Sequence, residues 1–119
     1  VEGLTGFAPA IDLSFDLPSR LADRMHRGEL DVGLIPAIEY LRAGDYTHIP
    51  GIAIGSDGPV LSVTLFSRVP WPDIRTVALD VGSRTSAALT EILLRRRYGV
   101  SPQVEPLPLT VPADDLTTD

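Results

Sequence analysis

TVALDVGSRTSAALTEILLRRRYG, residues 76–99, decides the fold class of this 119-residue chain. Residues 76–80, TVALD, read as a strand ending in Asp80. Ala88, Leu89, Ile92 and Leu93 then recur at helical spacing, which predicts a helix over 84–98 stopped by Gly99. A strand pattern follows at 102–109, and its prolines predict an edge position. Strand, helix and strand in this order imply an α/β arrangement with parallel strands.

Upstream the same alternation continues. VLSVTLFSRV (60–69) is the longest strand candidate, entered through the turn SDGP (56–59). VPWPD (69–73) breaks the pattern and marks a connection between substructures. LDVGLI (30–35) reads as a buried strand. PAIEYLRAG (36–44) reads as a short helix opened by Pro36 and closed by Gly44. IDLSFD (11–16) alternates Ile11, Leu13 and Phe15 onto one face, which predicts a short strand. Leu17-Pro18-Ser19 then opens a helix with Ser19 as its N-cap, Leu21, Ala22 and Met25 on its apolar face, and Gly28 as its stop. The order β-α-β-α-β-β followed by β-α-β predicts a mostly parallel α/β sheet. The tail VPADDLTTD (111–119) is polar and carries no structural signal.

Composition narrows the function. The hydrophobic share is 44%, ordinary for a globular chain. A formal net charge of -6 argues against nucleic acid as a partner, because such binding draws on Lys and Arg. The one dense basic run, Arg95-Arg96-Arg97, falls at a helix end, where it complements the dipole. The chain has no cysteine, which excludes disulfides, thiolate metal sites and a cysteine nucleophile. No apolar run approaches the ~20 residues of a membrane span. The N-terminus VEGLTGFAPA lacks the basic start and long apolar core of a signal peptide. A cytoplasmic location fits these features.

Three constellations could carry chemistry. GSRTS (82–86) lies between a strand and a helix, where unpaired amides, hydroxyls and an arginine suit a carboxylate or phosphate. Strand ends of open α/β sheets are where ligands gather. Simple capping, with Ser83 as the cap and Arg84 in solvent, is an equal reading of the same residues. Ser62 shares a strand face with Val60, Thr64 and Phe66, and a buried serine satisfied by backbone accounts for it unless that face lines a cleft. Glu39, among Ile35, Ile38, Tyr40 and Leu41, has the surroundings of a general base, but a helix side facing water is the plainer expectation. His26 and His48 are isolated, His26 is expected to be exposed beside Arg24 and Arg27, and no metal is predicted. No G-x-S-x-G occurs, so a serine hydrolase has no support.

Three blocks carry a resemblance: DLPSRLADRMHRGELDVGLIPAIEYLR (16–42), PGIAIGSDGPVLSVTLFS (50–67) and TVALDVGSRTSAALTEILLRRRYG (76–99). Together they resemble the menaquinone-biosynthesis chorismate dehydratases of the futalosine pathway, which share a two-lobed, periplasmic-binding-protein-like fold. The resemblance implies a carbon-oxygen lyase that removes water from chorismate to give 3-[(1-carboxyvinyl)oxy]benzoate, with no cofactor and no metal. It implies that 1–68 belong to lobe 1, including a crossing strand, and 69–119 to the start of lobe 2. Ser62 would face the cleft as a catalytic and substrate-binding residue. Ser83, Arg84, Thr85 and Ser86 would form the second-lobe cradle for a dicarboxylate, with Thr85 and Ser86 leading. Arg84 could instead point away from the cleft.

The family is longer than this chain, so the resemblance also implies an internal fragment, inactive alone, with apolar surface exposed at its edges. A non-catalytic solute-binding protein for a small carboxylate is the competing reading on the same fold. The sister enzyme acting on a cyclised futalosine derivative ranks lower, since its first-lobe pattern differs from IPAIEYL and SDGPVLS. A regulator's effector domain would need a DNA-binding helix-turn-helix, and the sequence shows none.

Overall fold

The structure is a computed structural model, and it describes residues 11–107, 110–112 and 115–119. Among the described residues, three helices, α1 (Pro18–His26), α2 (Ala37–Ala43) and α3 (Arg84–Leu93), accompany two strands, β1 (Thr76–Asp80) and β2 (Gln103–Leu107). The strands pair in parallel, with Thr76 opposite Gln103 and Asp80 opposite Leu107. The expected β-α-β unit is therefore present, and the last two positions of the strand expected over 102–109 lie outside the described residues. β1 alternates as its sequence dictates: Val77 and Leu79 turn inward and are buried, while Thr76, Ala78 and Asp80 are half-exposed. β2 is mostly exposed, and Pro106 is tolerated there because the strand has a partner on one side only among the described residues.

The predicted helix over 84–98 is α-helical to Leu93 and closes in a π-helical turn, Leu94–Tyr98. Leu94, at that junction, is the largest fully buried side chain of the described residues, at 1% exposure. Gly99 ends the helix at φ 71°, a left-handed conformation that favours glycine. The Tyr98 ring stacks on Trp71, centroids 5.8 Å apart, so the 3-10 turn Trp71–Asp73 packs on the end of the helix. Ala88 is buried on the inner side of α3, which packs against β1 and α2. α2 runs between Pro36 and Gly44, as its sequence signals predict. α1 begins one residue earlier than expected. Leu17 is its N-cap and Pro18 its first residue, since proline's fixed φ suits that place. Ser19 is thereby inside the helix and buried, not a cap.

The strand expectations for 11–16, 30–35 and 60–69 are not met. These segments are loops and turns in the structure. A strand needs a neighbour to take its N–H and C=O groups, and β1 and β2 pair only with each other among the described residues. The apolar pattern of these segments faces solvent instead: Leu61 is 98% and Phe66 85% exposed. The architecture is thus mixed α/β with one small parallel sheet.

The polar tail proves structured where it is described. Asp119 accepts hydrogen bonds from the Arg75 amide at 2.8 Å, the Thr76 amide at 2.9 Å and the Thr76 hydroxyl at 3.2 Å. These amide donors, above all, lower the pKa of its carboxyl from the ordinary aspartate value. Arg68 donates to the carbonyls of Leu116 and Thr118, so the tail is tied across the segment leading into β1. No described helix is long and apolar enough to cross a membrane.

Candidate functional site: the turn between β1 and α3

β1 delivers the chain into the turn, and Asp80 shapes it. The Asp80 carboxylate accepts from the Gly82 amide at 2.7 Å and its carbonyl from the Ser83 amide at 3.1 Å. Ser83 is the N-cap of α3 by position, but its hydroxyl makes no capping bond to the helix amides. It donates instead to the Ser86 hydroxyl at 2.8 Å. The first helix amide with an internal acceptor is Ala87, which donates to the Ser83 carbonyl at 3.0 Å. The amides of Arg84, Thr85 and Ser86 have no acceptor among the described residues. They form the positive end of α3. With its oxygen accepting from Ser83, the Ser86 hydroxyl keeps its own proton to donate. The turn therefore presents amide and hydroxyl donors, half-buried.

Arg84 is elsewhere. Its Nη2 donates to both carboxylate oxygens of Asp23, at 2.8 and 2.9 Å, and its Nη1 lies 3.7 Å from Glu39. It is half-buried and ion-paired rather than in solvent. Thr85 also reaches across: its hydroxyl oxygen accepts from the Ile38 amide in the first turn of α2. Two consecutive residues of α3 thus grip α1 and α2.

Glu39 corrects the plainer expectation. It is buried at 6% exposure, not facing water. His26 is exposed, as expected, but it is partnered where isolation was expected. Its Nε2 lies 3.1 Å from Glu39, and its Nδ1 shares a hydrogen bond with the Tyr46 hydroxyl at 2.8 Å. Burial, then the charges of Asp45 and Glu39, raise the pKa of the Tyr46 phenol. Arg42 completes the cluster, 3.6 Å from Glu39. Sequence reasoning missed this network. The only linear signals are Asp23 with His26 and Glu39 with Arg42, each three apart on one helix face. Nothing in the chain order pairs them with residue 84.

Ser62 lies exposed in a turn, not in a strand, and shares no hydrogen bond with residues 83–86 among the described residues. An open cleft of about 590 Å³ lies on the Arg84 side of α3, against Asp23, His26, Glu39, Asp80 and Glu91. Four carboxylates against Arg42 and Arg84 make that cleft a poor host for an anion. The donors suited to an anion are instead the backbone and hydroxyl groups of residues 84–86. No group of His, Asp and Glu side chains able to hold a metal occurs among the described residues.

A family model described as menaquinone biosynthesis matches residues 2–118. The chain belongs to the menaquinone-biosynthesis family. One curated relative is the chorismate dehydratase of Thermus thermophilus, 32% identical over 90 residues, which are 75% of this chain and 33% of that protein. The chain spans about a third of the length of that relative.

Proposed function

We propose that the chain is part of a cytoplasmic chorismate dehydratase of the futalosine route to menaquinone. The family match over 2–118 carries the reading. The relative named chorismate dehydratase supports the choice of substrate, and the unpaired amides of Arg84, Thr85 and Ser86 support the choice of ligand class, a carboxylate that needs hydrogen-bond donors. In this reading residues 1–68 and 69–119 contribute to two lobes of a periplasmic-binding-protein-like fold that close on the substrate.

The reaction is an elimination. A proton leaves one ring carbon, the hydroxyl leaves its neighbour as water, and the ring becomes the aromatic ring of 3-[(1-carboxyvinyl)oxy]benzoate. Aromaticity supplies the driving force, so the protein's part is to orient and desolvate. The cradle holds one substrate carboxylate through the amides of residues 84–86 and the hydroxyls of Thr85 and Ser86, with Ser83 orienting Ser86. Ser62, from the opposite lobe, hydrogen-bonds the substrate and positions the proton-abstracting group, a role a substrate carboxylate can fill. Arg84 adds its amide to the cradle while its guanidinium stays with Asp23.

The test is incubation of the full-length protein from the gene with chorismate, without added metal or cofactor, followed by proton NMR. The enolpyruvyl-benzoate product is the expected result. Chorismate that stays intact with broadened signals would put the solute-binding reading first. Intact chorismate with sharp signals would remove both.

A further inference from the structure

Glu39 is the one charged side chain buried among the described residues, and it stands where three helices meet. One of its oxygens faces His26 of α1 and Arg84 of α3, and the other faces Arg42 of its own helix. The guanidinium of Arg84 is divided between two carboxylates, Nη1 toward Glu39 and Nη2 on Asp23. The neighbouring residues repeat the join, with the Ile38 amide donating to the Thr85 hydroxyl. Residues 38–39 therefore grip residues 84–85 pairwise. A single charged contact would swivel, but a charged contact and a hydrogen bond on adjacent residues set both place and rotation of the helix start.

From this arrangement we propose that Glu39 is the positioning residue of the anion cradle. It acts through Arg84, holding the first turn of α3 so that the free amides of residues 84–86 and the Ser86 hydroxyl point at one spot. The same contact keeps the Arg84 guanidinium out of that spot. This rests on the cradle reading above and adds to it a residue outside the cradle. Asp23 holds the other half of the guanidinium and shares the task. His26 and Arg42 also lie against the Glu39 carboxylate, at 3.1 and 3.6 Å, so it is held from three sides.

The experiment uses full-length protein with Glu39→Gln, Arg84→Met and the double variant. The first readout needs no activity: the amide NMR shifts of Thr85 and Ser86. Glu39→Gln is expected to move them in the Arg84 background and to leave them in the Arg84→Met background. A shift that persists without Arg84 is a through-space field effect and overturns the proposal, as does no shift at all. The second readout is turnover. Glu39→Gln is expected to lower kcat/KM for chorismate by about tenfold, mostly through KM, and the double variant to lose no more than Arg84→Met alone. Losses that multiply overturn it. If wild type does not act on chorismate, the function reading falls while the amide shifts still judge the grip. If Glu39→Gln fails to fold, Asp23→Asn, on a half-exposed residue, takes its place in both readouts with the same expected outcomes.

Discussion

Ser83 and Ser86 look alike in sequence and do different work in the structure, and their substitution by alanine separates the roles. Ser83 Oγ donates to Ser86 Oγ at 2.8 Å, which leaves the Ser86 proton free for a ligand. On the proposed cradle reading, Ser86→Ala deletes a donor to a substrate carboxylate. A hydrogen bond to a charged group contributes about 1.5–3 kcal/mol, so chorismate affinity should fall by roughly 10- to 150-fold. Ser83→Ala deletes only the group that orients Ser86, a neutral bond of about 0.5–1.5 kcal/mol, so a loss of roughly 2- to 12-fold is expected. Because Ser83 acts through Ser86, the double variant should bind no more weakly than Ser86→Ala. Isothermal titration of chorismate into the three variants measures this, with thermal melts to verify that each stays folded. Equal losses for the two single variants, or losses that multiply in the double, would refute the assignment of donor and orienter.

Other consequences are open to measurement. Leu94→Ala should cost about 3 kcal/mol, since three carbons at about 0.8 kcal/mol each leave a cavity at 1% exposure, and urea titration would show it as a lowered midpoint. A double-mutant cycle on Asp23 and Arg84 should give a coupling of about 1 kcal/mol, bidentate but partly solvated, and it should shrink as salt is raised. The folded-state pKa of Asp119 lies below its unfolded value. Its contribution to stability is therefore present above the ordinary aspartate range and lost as pH falls through the lowered value. Asp119→Asn should flatten that acid limb in pH-dependent melts, and an unchanged limb would mean that the tail does not hold β1.

The parts legible in sequence are those whose signals are local. The helical spacing of α3 is carried by Ala88, Leu89, Ile92 and Leu93, and the stops at Gly44 and Gly99 are left-handed residues in the structure, at φ 77 and 71°. β1 and β2 were legible because the connection between them is short enough to make them neighbours. The segments 11–16, 30–35 and 60–69 carry strand patterns of the same quality and form no strand, because alternation states which face a residue wants and not whether a partner exists. Ser19 illustrates the finer failure: a serine and a proline side by side both favour a helix start, and the proline's fixed φ decided it.

The charge cluster shows what no local signal could carry. Asp23 and Arg84 stand 61 residues apart, and Glu39 looked like an ordinary face-out carboxylate. Its burial follows from the company it keeps: a carboxyl group leaves water only where polar partners replace the lost hydration, and His26, Arg42 and Arg84 lie within 3.1–3.7 Å of it here. The same logic decides what the turn can hold. An arginine already shared by two carboxylates has little attraction left for a third, so on the proposed cradle reading the ligand at the start of α3 is held by neutral donors aligned with the helix axis. Neutral donors bind an anion well only when they are fixed in direction. In the proposed cradle, a clamp on residues 84 and 85 and donors at residues 84–86 are therefore one requirement: the site would give up a mobile charge and gain orientation in its place.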